Sequence, residues 1–215
     1  MSREKSETLA DQTLARLRND IISGRLAPGT VIRDADLAKR YGVSTSPLRE
    51  ALILLETEQL VWMPSDRVRQ VVPISRVKTL EICEVLCVLM EYAIITGVKK
   101  MPLADFALME GYSARLQECI ITSDTKSALK ASQMFFDVMI RACGNAELRR
   151  VLARNAGWIE RLFTLVVPIE QSGWFEHSKA LMRAIRADDM DGLTNQIKQH
   201  HAEFLSLIAG LPLHG

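Results

Sequence analysis

The sequence predicts a mainly α-helical protein, in which an N-terminal winged helix-turn-helix is followed by an all-helical bundle. Two short helical patterns joined by a Gly-containing turn occupy residues 36–52. From residue 76 onward, apolar residues recur at intervals of three and four, without a convincing strand. Because 215 residues exceed a typical single domain, we expect one domain at residues 1–75 and a second at 76–215.

The helix-turn-helix is predicted from its turn and from the pattern of its second helix. Gly42 can adopt the positive φ that the turn needs. Ser46 can cap the second helix, with Pro47 as its first residue. The apolar residues of that helix should face the core: Leu48, Ala51, Leu52 and Leu55. The residues left to point outward are Thr45, Ser46, Arg49 and Ile53, and in DNA-binding proteins of this type that edge enters the major groove.

The remaining elements follow in order along the chain. Two β-prone runs at residues 60–63 and 68–72 predict a hairpin wing. Pro73 ends the first domain, and Ser75 can cap the helix that follows. The helical pattern then predicts segments at about 80–97, 102–122, 128–143, 147–167, 177–187 and 191–209. Helices joined by short loops predict a bundle.

The first domain resembles the GntR family of bacterial transcription regulators. The resemblance rests on the following matches: Ala27-Pro28-Gly29, Leu37-Ala38, Gly42-Val43-Ser44, Pro47 and Arg49-Glu50-Ala51-Leu52. The second domain resembles the helical effector-binding domain of the FCD branch, on looser motifs around Phe135, residues 142–145, residues 176–189 and His200. The resemblance implies a homodimer that binds double-stranded DNA. Because the net charge is near zero, specific binding should need both copies, so we expect an imperfect palindrome as the operator.

The candidate DNA contacts lie on the second helix of the helix-turn-helix, which we call the recognition helix, and around the wing. Arg49 can pair with guanine O6 and N7 or bind a phosphate. Its alternative is a solvated ion pair with Glu50 or Asp36. Thr45 stands where many relatives have a base-contacting arginine, so the operator should differ from theirs. The other candidates are Ser46 beside it, and Arg67 and Arg69 flanking Val68 in the wing. Arg33 and Lys39 either contact phosphates or are simply exposed.

The resemblance also implies a divalent metal held by one Asp and three His in many FCD proteins. Here those positions fall on Ser132, Phe136, Ser178 and His200, with His177 one residue away. Only His200 is a plausible ligand, so we expect no metal and no other cofactor. The residues left to bind a small effector, such as an organic acid, are Cys87, Tyr92, Ser132, Phe136, Arg141, Ser178 and His200. The alternative is a solid core without a cavity.

Composition restricts the compartment and the function. The net charge is only +1, so dimerisation would be needed to build a substantial basic surface. The four cysteines show no paired spacing and are expected to be reduced and buried. The sequence has no apolar run long enough to span a bilayer and no signal peptide, which predicts a cytoplasmic protein.

These patterns predict a transcription regulator, specifically a repressor controlled by a small molecule bound in the helical domain. The rival from another class is a helical enzyme or metalloprotein with an incidental winged helix. It finds no support, because the sequence contains no nucleophile–base spacing, no paired carboxylates in an apolar run and no phosphate loop. A third alternative is a constitutive DNA-binding regulator, or an interaction module, whose helical domain has lost effector binding.

Overall fold

A computed structural model describes residues 8–64, 68–165 and 173–213 of the chain. These residues divide into two compact units. The first comprises the chain up to Pro73 together with Arg154–Leu165, and the second comprises Ile74–Ala153 together with residues 173–213. No helix in the described part is both long enough and apolar enough to cross a membrane.

The first unit is a winged helix. Its elements are α1 Leu9–Ile22, β1 Val31–Ile32, α2 Asp34–Tyr41, α3 Thr45–Thr57, β2 Val61–Trp62 and β3 Arg69–Val71. The strands form an antiparallel sheet in the order β1-β3-β2, with Val61 opposite Val71 and Val31 opposite Gln70. This pairing confirms the predicted wing hairpin. Strand β1 was not predicted, because a two-residue strand is too short to show alternation.

The turn between α2 and α3 is as predicted at Gly42 but not at the start of α3. Gly42 ends α2 in the left-handed region, with φ 66° and ψ 34°. Helix α3 begins at Thr45 with Ser44 at its N-cap, so the prediction that Ser46 caps the helix and Pro47 opens it was wrong. Pro47 is the third residue of α3, and proline is accepted throughout a first turn because those N–H groups have no intrahelical partner.

The core of the first unit forms where α3 packs against α1 and the sheet. All of the α3 residues predicted to face inward are buried: Leu48, Ala51, Leu52 and Leu55. They join Leu17 and Ile21 of α1 and Leu60, Val61 and Val71 around the sheet. The recognition helix is therefore fixed on a packed scaffold.

The second unit is a helical bundle. Its elements are α4 Arg76–Val98, α5 Leu103–Ile121, α6 Thr125–Cys143, the first part of α7 Ala146–Leu165, α8 Trp174–Arg186 and α9 Met190–Gly210. The predicted segments agree with these helices because stop and start signals mark the loops. Ser75 accepts from the Lys78 N–H at 3.3 Å, Asp124 accepts from the Ser127 N–H at 3.1 Å, and Gly144 ends α6 with φ 75°.

Five of these helices form a closed ring, in which α4 packs on α6, α6 on α5, α5 on α8, α8 on α9 and α9 on α4. The enclosed core includes Ile94, Met109, Phe135, Met139, Leu181 and Ile197. Helix α4 continues through Gly97 to Val98, one residue past the predicted stop. A Cβ at Gly97 would lie 2.1 Å from the Met139 carbonyl oxygen, so this glycine permits the close approach of α4 and α6.

The second half of α7 packs on the winged helix. Arg154 Nε donates to the Thr57 carbonyl at 2.7 Å. A Cβ at Gly157 would lie 3.2 Å from Leu60 Cδ1, and a Cβ at Gly24 would lie 3.0 Å from Leu165 Cδ2. Residues 154–165 are thus a structural part of the winged-helix unit that no local sequence signal indicated.

The cysteines are free thiols. Cys83, Cys119 and Cys143 are buried as expected, whereas Cys87 is only half-buried. Burial raises the pKa of Cys83 to about 12 and that of Cys87 to about 11, so both remain protonated at neutral pH.

Candidate nucleic-acid interface and ligand site

The N-terminal edge of α3 is open to solvent. Thr45, Ser46, Arg49 and Ile53 are all exposed, as their helical spacing predicts. The Arg49 side chain is 61 % exposed, and its Nε donates to Asp34 Oδ2 at 2.8 Å. Its partner is thus Asp34 of α2 rather than Glu50 or Asp36. Because this ion pair is solvated, it contributes little stability and leaves the guanidinium accessible.

Arg69 occupies a different environment from Arg49. Its side chain is only 18 % exposed, its Nε donates to Glu56 Oε1 at 2.6 Å, and its Nη1 lies 3.5 Å from Asp34 Oδ1. Asp34 therefore contacts both Arg49 of α3 and Arg69 of β3. These contacts connect the wing to the recognition helix and fix the carboxylate beside Arg49.

The other predicted DNA contacts are less constrained. Arg33 is exposed at the N-cap of α2, and Lys39 is exposed near the end of the same helix. No ion pair involves either side chain within the described residues. Arg67 lies outside the described residues.

An aromatic cluster lies in the bundle where α6, α8 and α9 meet. The rings of His177 and His200 stack with centroids 3.7 Å apart and planes 9° apart. The Phe136 ring also stacks with His177, with centroids 6.2 Å apart, and the His201 ring lies 6.3 Å from that of His200. We call Phe136, His177 and His200 the histidine cluster.

Burial governs the electrostatics of the histidine cluster. Desolvation lowers the pKa of His177 to about 2 and that of His200 to about 4, assisted by the neighbouring imidazoles. Both rings are therefore neutral at pH 7. The Nε2 atom of His177 is buried and has no hydrogen-bond partner among the described residues. A buried polar atom in this state is a candidate contact for a ligand.

The structure shows which α8 residue faces His200. Sequence spacing selected Ser178 for the effector site and left His177 one position away, but His177 makes the ring contacts with Phe136 and His200. Ser178 instead donates to the Phe175 carbonyl at 2.8 Å and lies 2.8 Å from the Ser113 hydroxyl of α5. His177 was missed because a one-residue error in helical phase rotates a side chain by about 100°.

The other predicted effector residues are only partly brought together. Ser132 is buried one turn before Phe136 on α6, and Cys87 is half-buried on α4. Tyr92 is 53 % exposed. Arg141 is exposed and pairs with Asp137 at 3.2 Å on its own helix. Tyr92 and Arg141 are therefore surface residues rather than parts of the buried cluster.

The histidine cluster does not fit a metal centre. An imidazole nitrogen binds a metal through a lone pair in the plane of its ring. Rings stacked at 3.7 Å and 9° hold their lone pairs in nearly parallel planes, which do not converge on one ion. Within the described residues, no group of three or more His, Cys, Asp or Glu side chains could hold a metal.

Comparisons with known proteins decide the family. Residues 9–66 match the bacterial regulatory proteins of the gntR family, and residues 81–203, more than half of the chain, match the FCD domain. The chain belongs to the FCD branch of the GntR family. Its family and relatives are transcriptional regulators rather than enzymes, in agreement with the sequence prediction.

Two GntR relatives illustrate the range of similarity. The HTH-type transcriptional repressor GlaR of Escherichia coli is 25 % identical over 197 residues, which cover 86 % of this chain and 88 % of that protein. The HTH-type regulator BphR of Paraburkholderia xenovorans is 44 % identical over 68 residues, but these cover 32 % of this chain and only 28 % of that protein.

Solved GntR structures share the fold. E. coli McbR/YncC superimposes with a TM-score of 0.72 at 20 % identity, covering 94 % of this chain and 97 % of that one. A GntR regulator from Rhodococcus sp. RHA1 has a TM-score of 0.75 at 17 % identity, with the same coverage. These structures support the combination of a winged helix with a helical FCD bundle.

Proposed function

We propose that this GntR-family protein is a homodimeric repressor that binds an imperfect palindrome through α3 and responds to a small molecule at the histidine cluster. The observation that carries the proposal is the exposed edge of α3, where Thr45, Ser46 and Arg49 project from a helix whose opposite face is fully buried. A rigid helix with a free polar N-terminal edge is the element that reads the major groove.

In this proposal, Arg49 exchanges its carboxylate partner for DNA. A solvated Arg–Asp pair dissociates at little cost, whereas a bidentate contact to guanine is worth about 1–3 kcal/mol. When Arg49 turns from Asp34 to DNA, Arg69 still neutralises the charge of the Asp34 carboxylate. Arg69 is therefore a positioning residue for the interface. Arg33 and Arg67 contact phosphates, and Thr45 contacts a phosphate or a thymine methyl group.

The dimer is supported by an apolar stripe on α4. Val85, Val88 and Tyr92 are 57 %, 69 % and 53 % exposed, and they recur at intervals of three and four on one side of the helix. With a net charge of +1, one copy offers few phosphate contacts, so tight binding at physiological salt needs two. A second copy of the chain covers this stripe and supplies the second recognition helix.

The effector site is supported by the buried Nε2 atom of His177. A neutral imidazole can donate to or accept from a ligand, and Phe136 beside it provides an apolar surface. An organic acid would therefore be bound by hydrogen bonds and ring contacts rather than by an ion pair. The constitutive alternative is favoured by the direct stacking of His177 on His200, which fills the space between the rings.

Sedimentation velocity combined with DNA footprinting tests the dimer. We expect a dimer at micromolar concentration that protects two related half-sites of the promoter it regulates. Val88→Asp should dissociate it and weaken operator binding, because a charge would be buried at the interface. Ile121→Asp is the matched control, since Ile121 is 75 % exposed on α5, outside the stripe. A wild-type monomer that protects one half-site would contradict the proposal.

Thermal unfolding across a panel of small organic acids tests the effector. A compound that binds the native state must raise the melting temperature. We expect the active compound to lose its effect in His177→Leu and to retain it in the control His201→Gln. If no compound shifts the melting temperature and His177→Leu represses normally, the constitutive alternative is correct.

A further inference from the structure

A groove with cationic side chains in its lining lies on the bundle surface between α5 and α8, away from the histidine cluster. Its volume is about 430 Å³. Helix α5 contributes Ser113, Ala114 and Gln117, and α8 contributes Lys179, Arg183 and Arg186. We call this feature the α5–α8 groove. A concavity of this volume accommodates a small metabolite.

The groove is separated from the histidine cluster by the width of α8. A helical residue is rotated by about 100° from the one before it. Relative to His177, the directions of Lys179, Arg183 and Arg186 are therefore rotated by about 200°, 240° and 180°. The basic residues consequently face the opposite side of α8 from His177, so a ligand in the groove would occupy a second site.

The described lining of the groove contains more cations than carboxylates. Lys179, Arg183 and Arg186 follow the i, i+4, i+7 spacing that places them on one side of α8. Among the described residues of the lining, the carboxylate is Glu110 of α5. This imbalance contrasts with the nearly neutral chain as a whole, whose net charge is +1.

Two of the cations are held in place, and the third is free to bind. Arg186 pairs with Glu110 and lies over the Phe106 ring at 5.6 Å. Lys179 is 3.3 Å from Glu176 and 4.8 Å from the centre of the Phe175 ring. Arg183 is exposed and makes no ion pair with any residue in the described ranges. An anion between Lys179 and Arg183 would therefore gain a full guanidinium partner.

We propose that the α5–α8 groove binds a small polyanion carrying two or more carboxylate or phosphate groups. Arg183 forms the principal charge-assisted hydrogen bonds, and Lys179 and Arg186 bind the remaining charge. The Ser113 hydroxyl, 2.8 Å from that of Ser178, and the Met182 side chain line the groove beneath the ligand's carbon skeleton. The proposal does not depend on DNA binding or on the histidine cluster.

Isothermal titration of the full chain tests the groove, with tricarballylate as a tricarboxylate probe and pyrophosphate as a probe with two phosphate groups, at constant ionic strength. At least one probe should bind with one site per chain. Arg183→Gln should weaken that binding about tenfold or more, because a hydrogen bond to a charged group is lost. The matched control is Arg149→Gln, which removes the same charge from an exposed position on α7 outside the groove.

A second variant tests whether the probe binds inside the groove or is attracted only by the general positive charge of the surface. Ala114 is exposed and lines the groove, so Ala114→Trp should fill the cavity and weaken binding without changing the charge. Whichever probe binds identifies carboxylate or phosphate as the preferred group. The proposal is overturned if neither probe binds, if Arg149→Gln weakens binding as much as Arg183→Gln, or if Ala114→Trp binds as tightly as the wild type.

Discussion

Arg161 is a buried and only partly compensated side chain among the described residues of the winged-helix unit. It is 0 % exposed, and none of its guanidinium nitrogens has a hydrogen-bond partner among the described residues. Desolvation lowers its pKa to about 10, which leaves it charged at neutral pH. The Trp158 ring, 5.7 Å from the guanidinium carbon, provides partial compensation through a cation–π contact.

Replacing Arg161 with an apolar residue should therefore stabilise the protein. We expect Arg161→Met to raise the free energy of unfolding by about 1–4 kcal/mol, because a buried charge is replaced by a side chain of similar length. Urea denaturation measures this change. Arg150→Met is the control, since Arg150 is exposed beside Glu147 and should have little effect. A clear loss of stability in Arg161→Met would show that the guanidinium has a partner.

Arg49 provides the residue-scale test of DNA reading. Arg49→Ala should weaken specific operator binding by about 1–3 kcal/mol per half-site while leaving the melting temperature nearly unchanged. Fluorescence anisotropy with labelled operator measures the affinity. Arg25→Ala is a matched control, because Arg25 is 62 % exposed and also pairs with an aspartate, Asp20. Equal affinities of the two variants would remove Arg49 from the interface.

At the element scale, Gly97 decides how closely α4 approaches α6. Gly97→Ala should lower the free energy of unfolding by about 1–3 kcal/mol, because its Cβ would overlap the Met139 carbonyl and the helices would have to separate. Gly111→Ala is the opposite control. Gly111 lies on α5, and a Cβ there would have no described neighbour within 4 Å. The Gly111→Ala substitution should therefore raise the free energy of unfolding by about 0.5–1 kcal/mol. Chemical denaturation of both variants checks the sign, and a neutral Gly97→Ala would refute the close approach.

The helix boundaries were predictable because capping residues close in sequence mark where a helix begins or ends. Ser75, Asp124 and Gly144 mark a beginning or an end through contacts within a few residues, which the sequence displays directly. Gly97 and Gly144 are both glycines, but Gly144 ends a helix whereas Gly97 permits contact between two helices. The sequence alone could not distinguish these two roles. The partner of His200 was missed for a related reason, since it depends on how α8 is rotated in the bundle.

For the whole molecule, the buried imidazoles predict how stability depends on pH. The folded-state pKa values of His177 and His200 lie below the unfolded value of about 6.5. As the pH falls below 6.5, the unfolded chain binds protons that the folded chain does not. The free energy of unfolding should therefore be highest above pH 6.5 and decrease toward pH 4, by up to about 1.4 kcal/mol per pH unit for each histidine.

Denaturation at a series of pH values measures this slope. His200→Gln should flatten it by about one proton's contribution. His201→Gln should change it less, because His201 is less buried and Glu91 raises its pKa against the effect of burial. An unchanged slope in His200→Gln would mean that folding does not lower the pKa of His200.

The packing of helix α7 limits how regulators of this architecture can exchange domains by recombination. Its residues 154–165 pack on Thr57, Leu60 and Gly24 of the winged helix, although they lie far along the chain. A chimera that joined residues 1–75 to a foreign sensor domain would leave that surface without its covering helix. Recombination between such genes should therefore succeed mainly when the incoming segment encodes an equivalent helix.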